Sequence, residues 1–312
     1  MVGRFPFLDI PWGAYFELTR IGEPIEALMG VLLYSVGLIF SASLAMPPLQ
    51  PKEFMPQACR AVLWVYYMRH ALCTFKDAVD YEYDRRVFRR RSRPVARGAI
   101  TPDEAFNFSS VLLLLGILGL LYLPAESHGL GIIVTLTMML YPFAKRFTAF
   151  PQLIMGFGFS MSVFMALKVI GVNLSPGSED FWSAIFLGVV LMLLVTIANV
   201  VYTFPDARND ASVGGKSMAL IMTNRPKTWL WIMIAIVEVL LWKIGNLSDY
   251  SIFYNIISCG GSFFALSTML ALVDLRVIAD CQWWFKRAMM GSVFLLFWGL
   301  YMEYVIRLHV LQ

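Results

Sequence analysis

Long apolar runs alternate with short polar connections along the whole chain. A run of about 20 apolar residues crosses the hydrocarbon core of a bilayer as a helix. Nine such runs are present, at about 27–46, 57–75, 105–124, 128–144, 152–172, 181–202, 228–244, 251–273 and 288–308. The fourth is short and closes at Tyr141-Pro-Phe-Ala-Lys145-Arg146. The pattern predicts an all-α, polytopic membrane protein of nine transmembrane helices. Positions 1–26 mix charges with aromatics and lack the apolar core of a signal peptide, so they read as an interfacial N-terminal segment. Residues 27–312 then form a single intramembrane domain. Composition agrees: 59% of residues are hydrophobic and the mean hydropathy is +0.67. A soluble chain of this length cannot cover its surface with so few polar residues.

Charge adds an orientation. The connection after the second run carries Arg85, Arg86, Arg89, Arg90, Arg91, Arg93 and Arg97. Lys145 and Arg146 follow the fourth run, Arg208, Lys216, Arg225 and Lys227 the sixth, and Arg276, Lys286 and Arg287 the eighth. The opposite loops hold Lys52 and Lys243 against Glu53, Glu126, Glu179, Asp180 and Asp249. Basic loops stay cytoplasmic, so the N-terminus and the even-numbered connections are expected on that side. The formal net charge of +4 conceals this concentration of base on one face.

Two acidic clusters lie in those basic connections. Asp77, Asp80 and Asp84 end the second run; Asp206 and Asp210 end the sixth. Carboxylates beside a bilayer are costly and mark function. On a helix, Asp77, Asp80 and Asp84 fall within about 60° of one another, and Arg69 projects to nearly the same face. Asp206 and Asp210 extend a stripe that includes Asn199 and Tyr202. Two one-sided carboxylate stripes suit hard divalent cations, above all Mg²⁺ carrying a diphosphate, and the interleaved bases suit the anion. One apparent phosphate motif fails: before Gly215-Lys216-Ser217, the required glycine is Asp210. Four cysteines without paired spacing and three histidines imply neither a disulfide framework nor a His-rich metal centre.

Arg69-His-Ala-Leu-Cys-Thr-Phe-Lys76-Asp77-Ala-Val-Asp80-Tyr-Glu-Tyr-Asp84, followed by Arg93-Pro94-Val-Ala-Arg-Gly98, resembles the first signature of the UbiA superfamily of intramembrane prenyltransferases. Tyr202-Thr-Phe-Pro-Asp206-Ala-Arg-Asn-Asp210, with Gly215-Lys216-Ser217, resembles the second. Tyr141-Pro-Phe-Ala-Lys145-Arg146 and the Asp280-Cys281 segment are also similar to the family, in the right order over nearly the whole chain. The branch it resembles most contains para-hydroxybenzoate polyprenyltransferases and fungal meroterpenoid enzymes.

The resemblance implies a UbiA-type bundle in which Asp77, Asp80, Asp84, Asp206 and Asp210 hold Mg²⁺ and do the catalytic work on an allylic prenyl diphosphate. It implies Arg93, Lys145, Lys216 and Arg69 as diphosphate-binding residues, with Arg69 also supporting the first cluster, and Tyr202, Asn199 and Arg146 on the substrate; Lys76, which departs from the signature, is read as binding the diphosphate, with displacement of one Mg²⁺ or an interfacial position as the other readings. The expected reaction is transfer of a short prenyl group such as farnesyl to an aromatic or polyketide acceptor in terpenoid or meroterpenoid biosynthesis. A terpene cyclase that needs no acceptor is the alternative, and a transporter or binding scaffold the third reading. Membrane lipid is an expected partner and nucleic acid is not; the endoplasmic reticulum is the expected location.

Three positions depart from the family pattern. Lys76 stands where the signature has Asn, Ser92 stands where Asn precedes Arg-Pro, and Asn199 is an amide where an acid is usual. Among the other charges in apolar runs, Glu238 reads as paired within the bundle, Lys168 as snorkelling, and Glu303 as lying at the opposite end from the motifs.

Overall fold

The computed structural model describes residues 10–88, 90–212 and 214–310. Arg89 and positions 1–9 of the N-terminal segment lie outside the described residues. Those described are helical and include no strand. A short α1 (Trp12–Thr19) leads into α2 (Pro24–Leu44) and α3 (Pro51–Val79). After α4 (Tyr81–Arg86) come α5 (Pro102–Gly119), α6 (His128–Phe147), α7 (Pro151–Ile170) and α8 (Glu179–Thr203). The chain continues through α9 (Ala207–Ser212) and α10 (Met218–Ile221) to α11 (Pro226–Leu247). The short α12 (Ile252–Tyr254) runs through a π-helical turn, Asn255–Gly260, into α13 (Gly261–Leu272), and α14 (Ile278–Val310) ends the bundle.

Local chemistry sets these boundaries. Proline opens α2, α3, α5, α7 and α11, where its missing N–H is not needed. Thr101 and Glu104 close a reciprocal capping box on α5, and Gly171 ends α7 in the left-handed conformation. Small residues let helices meet: a Cβ on Gly156 of α7 would stand 2.6 Å from the Met192 backbone oxygen of α8.

Among the described residues, eight helical segments are long and apolar enough to cross a membrane. The ninth predicted span is α3, 29 residues long and more polar, because it carries Arg69, Lys76 and Asp77. α7 packs against α2, α6 and α8, α14 against α2 and α13, and α3 against α5. Leu114, Leu118, Ile236, Trp242 and Phe264 face outward, as side chains in contact with lipid do.

Two boundaries differ from expectation. α14 begins ten residues before the apolar run that predicts it, so Asp280, Lys286 and Arg287 lie on the helix. The acidic stripes are also not uninterrupted α-helix. α3 stops at Val79, Asp80 caps it, and Asp84 stands on α4. α8 tightens into the 3₁₀ turn Phe204–Asp206 at Pro205 before α9 carries Asp210.

Candidate active site

All the cluster-bearing segments meet at one end of the bundle. Arg146 of α6 donates to the Val79 carbonyl at 2.9 Å, and the Lys216 backbone N–H donates to the Lys145 carbonyl at 2.8 Å. Gln152, at the start of α7, accepts from the Met218 N–H at 3.2 Å. These bonds place the ends of α3, α6 and α7 around the loop that carries Lys216. Asp77, Asp80, Asp84 and Asp206 are at most 2% exposed. Buried carboxylates persist only when charge and hydrogen bonds compensate them.

The compensation is specific. Arg20 donates to both Asp77 oxygens, at 2.6 and 2.8 Å. Arg93 joins Asp77 to Asp84, with Nη1 at 3.1 and 2.6 Å from their oxygens. Asp80 sits between two ammonium groups, Lys76 at 3.0 Å and Lys145 at 2.7 Å. Arg90 connects the two clusters: its guanidinium lies 3.8 Å from Asp84, 3.3 Å from Asp206 and 3.7 Å from Asp210. Burial disfavours the charge on Arg90, but Asp210, Asp84 and Asp206 outweigh it and hold its pKa above the ordinary value. Among the described residues, no three carboxylates converge on one point; cations stand between them.

Below this charged layer a chamber of about 340 Å³ runs into the bundle. Its mouth is lined by Lys76, Asp80, Arg90, Arg93, Lys145, Asp210 and Lys216. Its depth is apolar: Leu72, Met68 and Trp64 follow one another down α3, facing Met138 of α6 and Met155, Phe159 and Met165 of α7. Tyr34 reaches the wall from α2, 2% exposed, with a hydroxyl that has no hydrogen-bond partner. The arrangement suits an anion at the mouth and an apolar chain beneath it.

Most residues predicted from the sequence meet here. Asp80 and Asp210 line the chamber, while Asp77, Asp84 and Asp206 adjoin it through Arg20, Arg90 and Arg93, which line it. Asn199 also lines it and donates its Nδ2 hydrogen to the Val195 carbonyl; Tyr202 lines it with its ring 4.8 Å from that of Phe285.

Two assignments need correction. Arg69 lines the chamber but does not brace the first cluster: it bonds the Arg20 carbonyl at 3.2 Å and pairs with Glu23 at 3.8 Å, so Arg20 has the supporting role. Arg146 turns away, over the rings of Tyr83 and Phe143 and onto the end of α3, and so ties helices together. Sequence reasoning missed Arg20 and Arg90 as members of the site. Each lies in a segment where arginine also serves the lipid interface.

The remaining charges lie elsewhere. Glu238 accepts from Ser262 within the bundle at 3.0 Å. Lys168 donates to Asn173 at the other end, where Glu303 accepts from Ser251.

Residues 31–300 match the family described as the UbiA prenyltransferase family. The chain is 31% identical over 272 residues to the prenyltransferase ascA of Acremonium egyptiacum, covering 87% of this chain and 80% of that one. It is 29% identical over 296 residues to the DMOA farnesyltransferase nvfB of Aspergillus novofumigatus, covering 94% and 92%. In fold it is similar to a UbiA homolog from Archaeoglobus fulgidus bound to GPP and Mg²⁺, with a TM-score of 0.66, 17% identity and coverage of 91% and 99%.

Proposed function

We propose, from the premise that this chain belongs to the UbiA prenyltransferase family, that it transfers a farnesyl group from farnesyl diphosphate to an aromatic or polyketide acceptor. The observation that carries the proposal is a cation-lined mouth directly above a long apolar chamber. A relative named for farnesyl transfer to DMOA supports the donor and the acceptor class. A homolog of the same fold bound to GPP and Mg²⁺ supports the diphosphate and the metal.

The donor types suit Mg²⁺ once the cations that stand between the carboxylates give way. Five carboxylates supply hard oxygen donors, and Asp84 Oδ1 is buried without a hydrogen-bond partner. Asp77, Asp80, Asp84, Asp206 and Asp210 would hold the metal, which supplies charge stabilisation for the departing diphosphate. Arg93, Lys145, Lys76 and Lys216 bind its oxygens from the protein side. The bond between the allylic carbon and the diphosphate oxygen breaks with its electron pair leaving on the diphosphate. A nucleophilic carbon of the acceptor then forms the new bond to the allylic cation and loses its proton to an oxygen of the departed diphosphate. The apolar wall excludes water, which would otherwise capture the cation. Concentration of base around the mouth supports a cytoplasmic site, and we place the protein in the endoplasmic reticulum membrane.

The test is the acceptor. Membranes containing the protein, given farnesyl diphosphate and Mg²⁺, are expected to release diphosphate only when a phenolic acceptor is added. Release of a cyclic hydrocarbon without acceptor would overturn the transferase and establish a cyclase.

Chamber depth makes a second prediction. From Lys76 to Trp64 is twelve residues of helix, about 18 Å, the reach of an extended farnesyl chain together with the phosphate it is attached to. Trp64→Ala is expected to raise kcat/KM for geranylgeranyl diphosphate relative to farnesyl diphosphate by about tenfold. An unchanged ratio would remove Trp64 as the floor.

A further inference from the structure

We propose that Ser217, Gln152 and Asn199 form the acceptor subsite, a neutral hydrogen-bonding wall that takes an aromatic ring bearing two hydroxyls, as a resorcinol does. The inference rests on the transferase reading above and specifies the second substrate of that same chamber.

An acceptor ring is nucleophilic at carbon when its own oxygens donate electrons into it. Those oxygens leave water on entering the chamber, at a cost unless new hydrogen bonds replace the lost ones. Gln152 gathers the groups that can do this. Its Oε1 accepts from the Met218 N–H at 3.2 Å, and its backbone carbonyl accepts from Thr196 Oγ1 at 3.4 Å. Ser217 precedes Met218, and Asn199 stands about one turn after Thr196 on α8. Gln152 therefore brings the loop before α10 and the end of α8 to one part of the chamber, which all three residues line. Asn199 lies seven residues before Asp206, beneath the charged mouth and above the apolar depth.

Each residue keeps hydrogen-bonding capacity for a ligand. Ser217 is only 7% exposed, and its hydroxyl oxygen is buried without a partner. Such groups are rare in folded proteins and call for a function. Asn199 donates from Nδ2 to the Val195 carbonyl at 2.9 Å. A carbonyl only accepts, so this bond fixes the amide's orientation and leaves Oδ1 as an acceptor. The Met218 N–H fixes Gln152 by the same logic and leaves its Nε2 hydrogens. Neither Asn199 Oδ1 nor Gln152 Nε2 has a hydrogen-bond partner among the described residues. Asn199 Oδ1 accepts a phenolic O–H and cannot take an ether oxygen. Ser217 and Gln152 donate to the second ring oxygen. None of the three is charged, so the wall selects a neutral ring and the cations remain for the diphosphate.

The experiment varies ring and wall together. Three probes are used: orcinol, its dimethyl ether, and 3-methylphenol, which lacks the second hydroxyl. Calorimetry measures their binding to purified protein in detergent, loaded with Mg²⁺ and farnesyl thiolodiphosphate, an unreactive analogue. Diphosphate release from farnesyl diphosphate gives KM for orcinol and for the donor. The wild type is expected to bind orcinol at least about tenfold more tightly than either other probe. Ser217→Ala is expected to raise the orcinol KM by about tenfold, to keep the donor KM within about twofold, and to narrow the preference over 3-methylphenol. Asn199→Ala is expected to narrow the preference over the dimethyl ether. A side chain that only supports the fold would move neither preference. If Ser217→Ala raises the donor KM instead, the hydroxyl serves the diphosphate and the inference falls. Equal binding of the three probes, or an unchanged orcinol KM in Ser217→Ala, would also overturn it. Transfer to another aromatic acceptor without binding of orcinol would overturn the inference and leave the transferase reading intact. A cyclic hydrocarbon released without acceptor would overturn both. If the variants do not fold, the wild-type probe series decides alone.

Discussion

Asp84→Asn is expected to slow diphosphate release from farnesyl diphosphate by about 10²–10³-fold, with the protein still folded. The amide keeps the size of the side chain and its place at the base of α4, but it removes the charge. Asp84 is 1% exposed and touches both organising arginines, Arg93 at 2.6 Å and Arg90 at 3.8 Å. Its second oxygen is buried without a hydrogen bond and is available to a metal. Losing that donor weakens the stabilisation of charge developing on the leaving group, so kcat should fall more than affinity for the donor. The measurement is single-turnover release of diphosphate in membranes at saturating Mg²⁺, with elution in detergent as the folding control. Activity within a factor of about five of wild type would exclude Asp84 from the reacting centre.

The sequence showed the large-scale design for two physical reasons. Hydrocarbon demands long apolar helices, and α2, α5, α6, α7, α8, α11 and the α12–α13 segment lie close to the predicted runs. Carboxylates are so unfavourable there that Asp77, Asp80, Asp84, Asp206 and Asp210 stand out against the apolar background, and the fold brings both clusters to one end. What the sequence concealed was the identity of their partners. Helical spacing put Arg69 on the face of the first cluster, yet α1 places Arg20 nearer, and Arg69 turns to Glu23. Periodicity within one helix cannot report a neighbour supplied by another.

Arg90 was hidden differently. It stands among Arg85, Arg86, Arg89, Arg91, Arg93 and Arg97, and topological signalling alone accounts for such a run. Only the course of the loop from α4 to α5 distinguishes it from Arg91, which lies over the exposed Phe88 ring instead. The departure at Lys76 is accommodated by Asp80, at the end of α3. An added ammonium beside Asp77 and Asp80 would repel Lys145 if Asp80 did not lie between them, within 3.0 Å of both.

Arg93→Met should be the most destabilising single change at the site. Methionine preserves much of the side-chain volume but leaves Asp77 and Asp84 short of the guanidinium that joins them at 3.1 and 2.6 Å. Breaking a buried ion pair from one side costs about 3 kcal/mol or more, because the remaining carboxylate stays desolvated without its partner. Arg20 still covers Asp77, so the greater loss falls on Asp84. That asymmetry provides the internal control. Adding Asp84→Asn to Arg93→Met is expected to recover stability, since an amide tolerates the vacated position better than a carboxylate does. Adding Asp77→Asn should recover less. The measurement is the midpoint of thermal unfolding in detergent for the single and double variants. Strictly additive losses across the Arg93–Asp84 pair would show that the bridge does not hold the two acidic positions together, and with it would go the view of Arg93 as the joint between α3 and α4.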